Sequence, residues 1–211
     1  MEPSLPRRQP FGLRMRRATS WLERASREQG DPDAAFIFCW IAFNAAYGDE
    51  RDTEQRERDR FHAYFSTILK FQGAQAINRA LWDRFRNPIK EFVANHYVYW
   101  RFWDHQKGEA GADNWAARLE KDKQWVNGAL NRKDSRETAR VLETLFSRLY
   151  VLRNQLLHGG ATWRSSVNRD QVRDGARIMF FLVPIFIDVM LKNPDEDWGR
   201  PRFPVVYEDE A

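Results

Sequence analysis

Apolar residues along this chain recur every three or four positions, and no stretch sustains an alternation of two. That periodicity predicts helices from end to end. A first helix fits residues 14–29, with Trp21, Leu22 and Ala25 on one face. The second is sharply delimited: Asp31 suits an N-cap, Pro32 the first helical position, and AAFIFCWIAFNAAYG stays apolar as far as Gly48. Apolar on nearly every side, it is expected at the centre of the molecule. DERDTEQRERDR, residues 49–60, reads as an exposed loop and first turn, with Glu54 and Arg58 at pairing distance. A third helix runs to Lys70, and a fourth from Ala74 to Lys107, kinked at Pro88 and carrying the aromatic block FVANHYVYWRFWDH. After a loop at 108–113, NWAARLEKDKQWVNGALN is a fifth helix. A sixth starts at an Asp134 or Ser135 cap and ends at Gly159. A seventh spans Asp170 to Lys192, with Pro184 as a kink, before a proline-rich extended tail. The expected architecture is one all-α bundle of six to seven helices, core 14–193 and tail 194–211.

The sixth helix has two characters. Val141, Leu145, Leu149, Leu152 and Leu156 follow spacings of four, four, three and four, a stripe that faces a core. Leu142, Phe146 and Leu157 widen it, and Arg153 falls inside the widened arc. A guanidinium there must snorkel, pair with an acid or face a cleft. Tyr150, Asn154 and His158 are spaced by four and form a polar ridge beside the arc. Gly159 suits the residue after the C-cap, which leaves His158 beside the helix's last carbonyls, where a cation is favoured. Gly160 adds a second position without a side chain, open to close approach by a ligand. A fixed cation, an amide and an imidazole are parts that can hold a phosphate and move protons around it. They are equally the parts of a helix-end device and a buried ion pair, and the residue pattern alone leaves both readings open.

Composition narrows the class. The chain has 211 residues, 43% hydrophobic and 30% charged, which fits a globular domain with a core of its own. A net charge of +4 is compatible with an anionic partner and requires none. The single Cys39 allows no disulfide framework and points to a reducing, cytoplasmic setting. The N-terminus has basic residues but no apolar segment of a secretory leader, and the longest apolar run, IMFFLVPIFI, is half the length a membrane span needs.

Other candidates carry less. Cys39 has no base near it in sequence; His62, His96, His105 and His158 show no ligand spacing, so neither metal nor cofactor is expected. Asn44 and Tyr47 interrupt a buried helix, either to support Arg153 and His158 or to satisfy one another. The aromatic block is assigned to the core, since Phe92, Val93, His96, Tyr99 and Trp103 trace a helical stripe, with base stacking as its rival role. Arginines 7, 8, 14, 16 and 17 read as a solvated terminus or as contacts to an RNA backbone.

R-N-x-x-x-H late in an all-helical chain, within LYVLRNQLLHGGATW and with WIAFNAAYG upstream, resembles the signature of HEPN (higher eukaryotes and prokaryotes nucleotide-binding) domains. The resemblance covers about residues 14–193. It implies a homodimer with signature helices facing across a cleft, and metal-independent endoribonuclease activity in toxin–antitoxin or phage-defence systems, with an antitoxin or nucleotidyltransferase as possible partner. Arg153, Asn154 and His158 would be catalytic, supported by Tyr150, Asn44, Tyr47, Gly159 and Gly160. Other members are non-catalytic modules that bind a nucleotide, RNA or protein. A third expectation is a structural dimer in which Arg153 is locked in an ion pair.

Overall fold

The computed structural model describes residues 8–28, 30–49 and 57–203. Among them every regular element is helical. Helix α1 spans Arg8–Ser26, α2 Pro32–Tyr47 and α3 Glu57–Ile68. The expected cap of α2 is in place: the Asp31 carboxylate accepts the backbone N–H groups of Asp33 and Ala34, and Pro32 has no donor to leave unpaired. Three neighbours divide the apolar surface of α2. α1 lies along one side, α9 (Arg169–Lys192) along another, and α8 (Thr138–Leu157) crosses at Trp40 and Phe43. Phe43 is the hub of the core, with ring centroids 4.6 Å from Phe146, 4.8 Å from Tyr47 and 6.2 Å from Phe65 and Phe186. Gly175 of α9 permits this approach, because a Cβ there would sit 3.1 Å from Phe36 and 3.2 Å from Leu149.

The segment expected as one kinked fourth helix is three helices. α4 (Ala74–Arg79) runs into a π-helical turn at Ala80–Arg84; α5 (Arg86–Ala94) follows; a 3-10 turn at His96–Val98 then separates α5 from α6 (Trp100–Gln106). Pro88 makes no kink. It is the third residue of α5, where a backbone N–H would have had no partner inside the helix. The chain breaks at Asn95 instead, whose side chain accepts the N–H of Tyr97 at 2.8 Å and so competes with continuation of the helix. The supposed stripe is therefore split. Phe92, Val93 and Tyr99 are buried, whereas Trp103 is at the surface.

α7 (Trp115–Arg132) and α8 match the fifth and sixth expected helices. Asp134 caps a 3-10 turn, Ser135–Glu137, that leads into α8. α9 runs unbroken through Pro184. Two expectations about charge fail. α1 starts at Arg8, ahead of residue 14, and carries Arg14 on the same buried face as Met15, Ala18 and Ala25. Arg14 donates through Nη1 to the carbonyls of Ala46 and Gly48, both at 2.7 Å, closing the C-terminal end of α2. Asp49, expected in an exposed loop, is buried; the Glu54–Arg58 pairing lies outside the described residues. After α9 the described residues, 193–203, are not helical: Trp198 packs on Tyr64 and Phe71, and the Phe203 carbonyl accepts from Arg17.

Candidate functional site

α8 orients the signature residues. Of its expected core face Val141, Leu145, Leu149 and Leu152 are buried and Leu156 is half-buried, whereas Leu157, expected to widen that face, is exposed at the helix end. The helix stops at Leu157, with His158 as C-cap and Gly159 at φ +71°. The His158 N–H donates to the Asn154 carbonyl at 3.0 Å, and the Gly160 N–H reaches back to the Gln155 carbonyl at 2.7 Å. This is a Schellman-type stop, which needs the left-handed residue that glycine supplies. Gly160 has a use beyond the one expected. A Cβ there would lie 3.1 Å from the Gln155 carbonyl oxygen, so the missing side chain makes room for the helix's own end, and the residue also borders the cavity beside His158.

His158 is exposed and borders an open cavity of about 700 Å³ between the end of α8, the 97–107 segment and the loop after Gly160. Tyr97, Trp100 and Trp103 supply its aromatic wall; Lys107, Asn154 and Gln155 contribute polar groups. The wall is fastened to α8 at one atom, the Tyr97 carbonyl, which accepts from Trp103 Nε1 at 2.7 Å and from Gln155 Nε2 at 2.6 Å.

Arg153 faces elsewhere. It lines a second cavity, about 580 Å³, with Arg14, Arg17, Asn44, Tyr47 and Arg202. Asn44 and Tyr47 thus sit with Arg153 and not with His158. Burial pulls the Arg14 guanidinium below its ordinary range, against the opposing influence of Tyr64 and Asp49. Arg153 Nε and Asn44 Oδ1 are both buried without a hydrogen-bond partner among the described residues. No ion pair holds Arg153 there either, which leaves the locked-arginine expectation without support among the described residues.

Asn154 connects the two sides. It borders the His158 cavity while its Oδ1 accepts from Arg153 Nη1 at 2.8 Å. Tyr150 also spans them: it lines the His158 cavity, and its ring centroid lies 5.9 Å from the Arg153 guanidinium carbon. Within one chain, then, the amide and the phenol bridge a cation and an imidazole that point into separate spaces. Five residues apart on an ideal helix, they diverge by about 140°.

No family model, curated protein or solved structure matched this chain.

Cys39 is sealed in the core, and burial pushes its thiol up to about 12, which removes it as a nucleophile near neutral pH. Among the described residues no three His, Cys, Asp or Glu side chains cluster as ligands would, and no helix is long and apolar enough to cross a membrane. Sequence reasoning assigned the aromatic wall to the core, with base stacking as the rival role, and missed Lys107 and Gln155. A helical count carried through Asn95 turned Trp103 inward; the one available signal was Asn95 itself, a capping residue ahead of the β-favouring YVY. Arg14 was legible: Phe11, Arg14, Met15, Ala18, Leu22 and Ala25 share one helical face.

Proposed function

We propose that the protein is a metal-independent endoribonuclease of the HEPN type, acting as a homodimer. The observation that carries this reading is the disposition of α8's last two turns: an exposed imidazole at the rim of an aromatic-walled cavity, and a cation without a carboxylate partner among the described residues, aimed away from it. A second copy related by a two-fold axis would supply at each His158 the arginine that the same chain directs elsewhere. Leu157, Trp163 and Val167, exposed apolar residues flanking His158, suit contact with such a copy.

In the reaction, His158 accepts the proton of a ribose 2′-OH while the 2′-oxygen bonds to the adjacent phosphorus. The P–O5′ bond breaks, and a protonated imidazole returns a proton to the leaving 5′-oxygen. The products are a 2′,3′-cyclic phosphate and a 5′-hydroxyl. Arg153 neutralises the charge that builds on the phosphoryl oxygens, and Asn154 fixes the orientation of Arg153. Tyr150 supports the guanidinium from the cavity side.

Incubation with total RNA, with mapping of the termini, tests the reading. Wild type is expected to yield cyclic phosphate ends, and Arg153→Ala and His158→Ala to lose cleavage by at least about a hundredfold while keeping the wild-type sedimentation profile. Cleavage unchanged in either variant overturns the assignment. A protein that binds RNA or a nucleotide and leaves it intact would be the non-catalytic module.

A further inference from the structure

The His158 cavity does not end at His158. Trp100 and Ser147 line it and also line a third cavity, about 410 Å³, that continues along α8 toward its N-terminus. From Arg140 to His158 the joined groove follows one face of α8 for about 27 Å. Its far part is strongly cationic: Arg101, Arg118, Lys121, Arg140 and Arg148 line it against two carboxylates, Asp122 and Glu143. Both carboxylates are engaged. Asp122 holds the buried Arg148 at 2.9 Å, and Glu143 lies 3.0 Å from His62. Arg101, Arg118, Lys121 and Arg140 form no ion pair among the described residues. Two of these are held on aromatic faces instead, Arg101 4.1 Å above Trp100 and Arg140 4.0 Å above Trp125.

Cations freed from carboxylates and interleaved with aromatic rings form a surface that fits phosphates and unpaired bases together. A duplex hides its bases from such rings, whereas a single strand presents them. We propose that the groove along α8 is a binding track for single-stranded RNA. The phosphates lie on Arg101, Arg118, Lys121 and Arg140, and bases stack at Trp100, Trp103 and Tyr97 as the strand approaches His158. The length holds roughly eight nucleotides at the ~3.4 Å stacked spacing, and fewer if the strand is extended. What happens to the strand at His158 rests on the ribonuclease reading; the track itself does not.

The test is fluorescence anisotropy of a labelled oligouridylate of about twelve nucleotides, alongside a duplex of equal length, over a salt series. Arg118→Glu/Lys121→Glu lies on the exposed face of α7, apart from the residues placed in catalysis. The double variant is expected to weaken single-strand binding about tenfold or more and to reduce the salt slope by about two. Trp103→Ala is expected to weaken it about fivefold or more with the salt slope unchanged. Wild-type affinity in both variants, or tighter binding of the duplex, overturns the track. So does a change in sedimentation without a change in RNA affinity, which would give this face to a second copy. Charge-sensitive binding by a protein that cuts nothing keeps the track and removes the ribonuclease; undiminished cleavage by the double variant does the reverse.

Discussion

Arg148 is the residue on which the groove's floor depends. It is 2% exposed, bonded to Asp122 and stacked 3.9 Å from the Tyr99 ring centroid, and burial lowers its guanidinium's affinity for a proton against the weaker opposing influence of Asp122 and Tyr99. Removing the carboxylate leaves a buried cation with no counter-charge. Asp122→Ala is therefore expected to destabilise the protein by about 2 kcal/mol in urea unfolding, less than for a fully buried pair because Asp122 itself reaches water. Arg148→Met removes charge and cavity lining together, and is expected to cost less than Asp122→Ala. The same contrast separates legible from illegible residues. Arg14 and Arg153 each fell on an apolar face, so their unusual positions could be read from spacing, but the groups they meet could not. Ala46 and Gly48 reach Arg14, and Arg202 comes to line the Arg153 cavity, by tertiary packing, which no local period records.

At the scale of the element, helix ends decide where the chemistry sits. The N-cap of α2 does double duty: Asp31 also accepts the Trp163 indole N–H at 2.8 Å, tying the loop after α8 to α2. Partial burial would raise the Asp31 carboxyl, but the Trp163 bond and the N–H groups of Ala34 and Asp33 outweigh it and hold the group below its ordinary value. A depressed carboxyl contributes its stability fully above the usual aspartate range and loses it as pH falls through the folded value, so this contribution should decline progressively from about pH 4 downward. Asp31→Ala is expected to lower stability by about 1 kcal/mol at neutral pH and to converge with wild type in strong acid, as thermal melts against pH would register. The sequence specified α2 because cap and period agree there, α8 because its period follows the Asp134-capped turn, and α7 by its period alone. It misled between Ala74 and Gln106 because no glycine or proline marks the turns at 80–84 and 95–99, and a helical count passes through them.

For the whole molecule, the question is whether a site can be completed within one chain. If Arg153 of one subunit serves His158 of its neighbour, two dead variants should rescue each other. Mixing Arg153→Ala with His158→Ala, unfolding and refolding together, would make half of the dimers mixed, each with one intact site and one doubly defective site. The expected activity is about a quarter of wild type. Activity no greater than the sum of the two variants would place both groups in one chain's site. A concentration series in analytical ultracentrifugation should show Leu157→Asp shifting the protein toward monomer, with activity lost in parallel.

The imidazole owes its location to the stop of α8 and to little else. That stop is made by carbonyls of the helix itself, closed by the torsion at Gly159, where a methyl group would touch nothing yet would still be strained. Insertions between 161 and 166 would therefore lengthen the loop and leave the histidine's backbone unmoved. Adding or deleting one residue before Asn154 would instead rotate the whole end of the rod by a hundred degrees or so and turn the ring toward a different neighbour.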